Sequence, residues 1–170
     1  DLPPEAKYDG TIERIARAVR PLSTAPEEDL TVILKRALFA WLIADGDMHL
    51  KNLALLKIAD PRSGTFESVR MAPLYDAVTT RVFPRLEHDR MALKLDGKDD
   101  RLRRTDFLRL AATAGIPACA ANAAIDELIT RFAIGLDQII VPDVPNLEAE
   151  MTAKAAQMLE LCHERLAAWR

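Results

Sequence analysis

Residues 37–44 are apolar without a break, and they close a longer helical pattern in which Leu30, Ile33, Leu34, Leu38, Trp41 and Leu42 recur at helical spacing. A helix that is apolar nearly all round must be buried on every side, so the rest of the chain has to wrap around it. The run is far shorter than the roughly 20 residues that cross a bilayer. Its beginning is marked by Ser23-Thr24-Ala25-Pro26-Glu27-Glu28-Asp29. That stretch offers a hydroxyl cap, a proline for the first turn and three acids facing the helix dipole. The helix it opens is expected to reach about residue 43.

The surrounding pattern is mostly helical. A short helix is expected over 11–19, with Ile12, Ile15 and Val19 on one face, and others over about 105–114, ending at Gly115, and 117–132. A last helix is expected from Asn146 to the end, with Met151, Ala155, Met158, Leu159, Cys162 and Leu166 inward. Between the buried helix and the later ones, 53–58 and 67–71 read as strands joined by the turn-rich Asp60-Pro61-Arg62-Ser63-Gly64-Thr65, and 91–95 reads as a third short strand. The fold class is therefore mostly α (α+β): a helical domain with a small inserted β-hairpin.

With 170 residues, 49% of them apolar and 29% charged, the chain suffices for one domain with a sizeable core. A formal charge of -3 argues against bulk attraction to nucleic acid or an anionic membrane. No basic stretch followed by an apolar run marks a signal peptide. Cys119 and Cys162 sit in no pair motif and read as reduced, core-filling thiols of a cytoplasmic protein. The chain starts at Asp1 without an initiator Met and reads as a piece of a longer protein.

Chemical groups concentrate where the buried helix ends. Asp45-Gly46-Asp47-Met48-His49-Leu50-Lys51-Asn52 holds two carboxylates, an imidazole, an ammonium and an amide between a very apolar helix and an apolar strand. Polar groups fixed on a rigid scaffold are what an active site needs. Asn52 precedes the first strand of the hairpin, and Asp76, in Pro73-Leu74-Tyr75-Asp76, follows the second. A hairpin returns on itself, so Asn52 and Asp76 should be neighbours, with Asp47 nearby. Hard oxygen donors of this kind suit Mg²⁺, which completes its shell with water and phosphate oxygens. Protein kinases use an Asp that accepts the substrate hydroxyl proton, an Asn five residues later on a metal, and an Asp past a hairpin on the metal-bound phosphates. Asp47, Asn52 and Asp76 have that spacing. The usual kinase signature differs: Gly46 stands where its Arg precedes the Asp, His49 is two residues after the Asp, and Lys51 is four after.

The pattern D-x-H-x-K-N followed by P-x-Y-D resembles the HipA family of bacterial serine/threonine kinase toxins, most specifically over residues 42–80. The flanks fit as well, and the likeness covers 1–170 as a single protein-kinase-like helical C-terminal lobe. The resemblance implies that Asp47 is catalytic, that Asn52 and Asp76 bind Mg²⁺, and that ATP donates the phosphoryl group. It also implies a small DNA-binding antitoxin partner and a protein substrate, in the best-known members a tRNA synthetase. Lys51, and with it His49, would offset charge on the transferred phosphate. The family's nucleotide-gripping loop and ATP-binding Lys lie in an amino-terminal part. Here the six glycines are too scattered to form a phosphate-cradling loop, so the lobe alone is expected to be inactive.

Two other readings compete. One takes the fragment as a non-catalytic binding module for an antitoxin or DNA-bound partner, the other as a metal-dependent hydrolase using Asp45, Asp47, His49 and Asp76. His88 and His163 lack ligand-spaced partners, Asp45 reads as a surface acid, and the nearly balanced charges of 96–109 read as a solvated loop and helix start.

Overall fold

The computed structural model describes residues 3–141 and 149–169. Among these residues the architecture is helical, with one two-stranded sheet: α1 (Ile12–Val19), α2 (Pro26–Leu42), β1 (Leu55–Ala59), β2 (Phe66–Met71), α3 (Arg104–Thr113), α4 (Ala118–Asp137) and α5 (Ala149–Trp169). Short 3-10 turns occur at Pro4–Tyr8, Leu50–Asn52 and Thr80–Val82. No described helix is long and apolar enough to cross a membrane.

α2 is the axis around which the other elements pack. It touches α1, α3, α4, α5 and β2. Leu30, Ile33, Leu34, Ala37, Leu38, Ala40, Trp41 and Leu42 are all buried, as the apolar run requires. Ile12, Ala16 and Val19 from α1, and Phe107, Leu110 and Ala111 from α3, complete one continuous core with them. A smaller cluster joins Leu136 of α4 to Cys162 and Leu166 of α5.

Several expectations change in detail. The N-cap of α2 is Ala25, and neither hydroxyl before it caps the helix. Ser23 Oγ instead accepts from Ala25 N–H at 2.9 Å and donates to Asp29 Oδ2 at 2.6 Å. Thr24 Oγ1 bonds to Val69, tying the helix entrance to β2. The hairpin forms as expected, with Leu55 opposite Met71 and an irregularity at Ile58/Ala59. Residues 91–95 keep a strand's alternation, with Met91, Leu93 and Leu95 buried, but the backbone makes only isolated bridges, Thr11–Lys94 and Leu95–Lys98. Their neighbours are a helix N-cap and a turn, which give no partner strand.

α4 continues past Phe132 to Asp137. The expected start of the last helix at Asn146 lies outside the described residues. On α5, Cys162 and Leu166 are buried, whereas Met151 is exposed and lines an open apolar groove of about 750 Å³ between α4, α5 and residues 77–83. Cys119 is also exposed, one residue into α4, and fills no core position. The charged run 96–109 is not merely solvated. Asp106 within it is fully buried and tied to Lys98, Arg103 and Arg109.

Candidate active site

The C-terminus of α2 sets the geometry of the polar segment. Ala44 N–H donates to Trp41 O at 3.2 Å and Asp45 N–H to Ala40 O at 2.8 Å. Ala44 has φ 56°, the left-handed conformation of a Schellman-type helix end, usually given to glycine. The chain thus leaves the helix abruptly and turns back toward residues 78–80. Thr80 clamps the turn: its N–H and Oγ1 both donate to Ala44 O, and its Oγ1 accepts from Gly46 N–H at 3.0 Å. Gly46 is required by this approach, since a Cβ there would lie 2.0 Å from Asp89 Oδ2 and 2.7 Å from Thr80 Oγ1.

Asp45 is buried, at 3% exposure, so the expectation of a surface acid fails. The reason is the helix ending itself, which directs residue 45 back under the segment. Its Oδ1 accepts from Asp47 N–H at 2.9 Å. Burial pushes the Asp45 carboxyl above the ordinary carboxylate range, and the backbone N–H groups that point at it only partly offset this. Asp45 is a support for the Asp47 backbone that sequence reasoning missed, and the apolar neighbours on its N-terminal side were the available signal.

Asp47 itself is half-exposed, with its Oδ1 accepting from the Tyr8 hydroxyl at 3.0 Å. His49 is buried. Its N–H donates to Asp47 O at 2.7 Å, its Nε2 lies 3.9 Å from Asp47 Oδ1, and its Nδ1 has no partner among the described residues. A cavity of about 630 Å³ opens beside Asp47, lined also by Tyr8, Gly46, Thr80, Asp89 and Arg90.

Asn52 and Asp76 meet as the hairpin topology predicts. Asn52 Nδ2 donates to Asp76 Oδ2 at 3.0 Å and to Asp76 O at 3.3 Å. The neighbouring turns are fastened together. Ala72 N–H donates to Ala54 O at 2.9 Å, Arg36 of α2 donates to Ala72 O, and the Tyr75 hydroxyl donates to Lys51 O at 2.7 Å. Asp76 adopts φ 54°, which a short polar side chain tolerates. Lys51 is exposed, and its ammonium has no partner among the described residues. Asp47 makes no hydrogen bond to Asn52 or Asp76.

The buried Asn52 Oδ1 has no hydrogen-bond partner among the described residues. A polar oxygen left in that condition costs on the order of 1–3 kcal/mol unless something fills its lone pairs. The amide turns its Nδ2 toward Asp76, and together the two side chains supply an amide oxygen and a carboxylate, donor types that Mg²⁺ accepts. The donor set therefore fits that ion. The hydrolase reading fares worse, because no three His, Cys, Asp or Glu side chains converge as metal ligands among the described residues.

Comparison with known proteins agrees with this architecture. Residues 1–135 match the HipA-like C-terminal domain, and the chain belongs to that family. It is similar to a Sinorhizobium fredii protein named "Putative kinase Y4mE", with 27% identity over 146 residues that cover 82% of this chain and 33% of that protein. It shares its fold with a chain of the Shewanella oneidensis MR-1 complex of HipA, HipB and operator DNA, with a TM-score of 0.75 at 17% identity, covering 94% of this chain and 35% of that one. The chain spans about one third of the length of each.

Proposed function

We propose that this chain is the C-terminal catalytic lobe of a serine/threonine protein kinase that transfers the γ-phosphoryl group of Mg·ATP to a protein hydroxyl. The observation that carries the reading is the Asn52–Asp76 pair with its unpartnered buried amide oxygen, placed one turn from a half-exposed aspartate. In this reading Asn52 and Asp76 hold Mg²⁺, which when bound offsets charge on the ATP phosphates. Asp47 accepts a hydrogen bond from the acceptor hydroxyl, orients it, and takes its proton late in a loose transition state. Lys51, exposed beside the pair, offers a cation for the transferred phosphate, and His49 supports the Asp47 backbone and carboxylate from beneath. A preceding lobe supplies the grip on the nucleotide. By analogy with the HipA–HipB–DNA assembly of the Shewanella protein, the partner is a small DNA-binding antitoxin.

The test is transfer of labelled γ-phosphate from Mg·ATP by the full-length protein carrying this lobe, beside Asp47→Asn, Asp76→Ala and the 170-residue chain. Labelling that disappears in both variants, while their melting temperatures stay at wild type, supports the reading. A folded Asp76→Ala protein that still transfers phosphate overturns the metal assignment. A folded full-length protein that labels nothing with candidate acceptors present moves the binding-module reading ahead.

A further inference from the structure

Tyr8 lies 39 residues before Asp47 and belongs to none of the motifs above. It closes the turn Pro4–Tyr8, which rests on the turn Leu50–Asn52. Gly10 permits that contact, because a Cβ there would come within 2.8 Å of the Leu50 side chain. Just beyond, Ile12 N–H donates to Lys94 O at 3.0 Å and fixes the strap at its far end. Tyr8 is 44% exposed, so burial of its ring does not explain why it sits here. Its specific contacts are all with the polar segment or its own neighbour. The hydroxyl donates to Asp47 Oδ1 at 3.0 Å, the ring meets the His49 ring edge-on at 5.5 Å, and the Lys7 ammonium stands 4.8 Å from the ring centroid.

A half-exposed aspartate without a partner exchanges among staggered side-chain conformers. A carboxylate can accept on both oxygens, so a donor fixed to one of them sets the plane of the group without using up the other. The described residues give Asp47 Oδ2 no hydrogen bond, and the cavity beside Asp47 has room for an acceptor side chain.

We propose that Tyr8 is a positioning residue for the phosphoryl transfer: its hydroxyl holds Oδ1 of Asp47 and leaves Oδ2 for the acceptor hydroxyl. This rests on the reading of Asp47 as the base. Tyr8 also lines the cavity, but in this role it acts on the transfer through Asp47.

Tyr8→Phe keeps the ring on His49 and removes only the hydroxyl. In the full-length protein it should lower kcat about tenfold, the loss expected for one hydrogen bond to a charged group. KM for Mg·ATP and the melting temperature should stay at wild type. Without nucleotide, the ¹³C resonance of the Asp47 carboxyl carbon should move in Tyr8→Phe. Tyr8→Ala, which also removes the ring, should lower kcat at least as far. If Asp47→Asn abolishes transfer while Tyr8→Phe keeps wild-type kcat, or the carboxyl resonance stays where it was, the Tyr8 proposal is overturned and the base assignment stands. If Asp47→Asn retains transfer, the base assignment itself fails and this inference goes with it.

Discussion

Of the three aspartates buried in this domain, Asp45 and Asp106 carry an instructive contrast in their surroundings. Asp106, in the first turn of α3, receives the Lys98 ammonium at 2.7 Å and Arg103 N–H at 2.8 Å, with Arg109 at 3.6 Å. Burial pushes its carboxyl up, but the hydrogen bonds from Lys98 and Arg103 and the charges of Lys98 and Arg109 outweigh that and leave it below the ordinary range. Asp45 has no cation within salt-bridge distance among the described residues, only backbone donors, and burial leaves it above that range. Around Asp106 the polar groups are matched to one another. Around Asp45, His49 Nδ1 and Asn52 Oδ1 are buried without partners, and Ala44 and Asp76 hold left-handed backbone. Charge density alone does not mark a site. Left-handed backbone does not mark it either, since Asp96 and Arg101 beside Asp106 share it; unfinished bonding does, because ligands can complete it.

The comparison breaks most visibly under mutation at Asp47. On the proposed function, Asp47→Asn should cut phosphoryl transfer about 10²- to 10⁴-fold, the usual contribution of a positioned base, with no change in denaturant midpoint. Asp106→Asn should do the opposite: activity per folded molecule holds, and stability drops by about 2–3 kcal/mol in urea unfolding, since a buried pair and an N-terminal cap are lost together.

pH sharpens the contrast, because the two acids contribute with opposite sign. The depressed Asp106 favours folding above the unfolded carboxylate pKa of about 4, and that contribution is lost as pH falls through its folded value. Asp45 is raised, so its contribution to stability declines as pH climbs from about 4 through its folded value. Asp45→Asn should therefore flatten the stability profile above pH 4, whereas Asp106→Asn flattens it below. Unfolding free energies from pH 3 to pH 8 decide this, and parallel profiles for the two variants would refute it.

The smallest effect concerns the helix ends. α2 and α3 close with the same pair of hydrogen bonds, but the left-handed position is Ala44 in one and Gly115 in the other. Ala44→Gly relieves the backbone at the cost of a buried methyl, for a net gain below about 1 kcal/mol. Gly115→Ala should destabilise by about 1–2 kcal/mol, since the new Cβ also meets Arg20 at 2.7 Å. Denaturant midpoints read both.

What the sequence made legible was what local pattern and chain topology control. The burial of α2 followed from its apolar run. The meeting of Asn52 and Asp76 followed from the return of the hairpin between them. The features that escaped depend on contacts between distant segments. Tyr8 reaches Asp47 across 39 residues, and Thr80 clamps Ala44 across 36. Neither leaves a periodic or spacing signal. Residues 91–95 alternated like a strand because one side faces the core, yet alternation says nothing about whether a partner strand is present. Asp45 looked solvated because its burial is decided by the left-handed turn at Ala44, and alanine does not announce such a turn.

The crowding at Gly46 has an evolutionary reading. Ordinary protein kinases place an arginine immediately before the catalytic aspartate. Here that direction is taken, because the Asp89 carboxylate stands where the first side-chain carbon would be. A side chain at residue 46 therefore needs the Asp89 carboxylate to swing away and the Thr80 hydroxyl, 2.7 Å from the same point, to yield. Residues 46 and 89 are thereby coupled: a bulkier residue in front of Asp47 calls for a shorter or displaced side chain at 89.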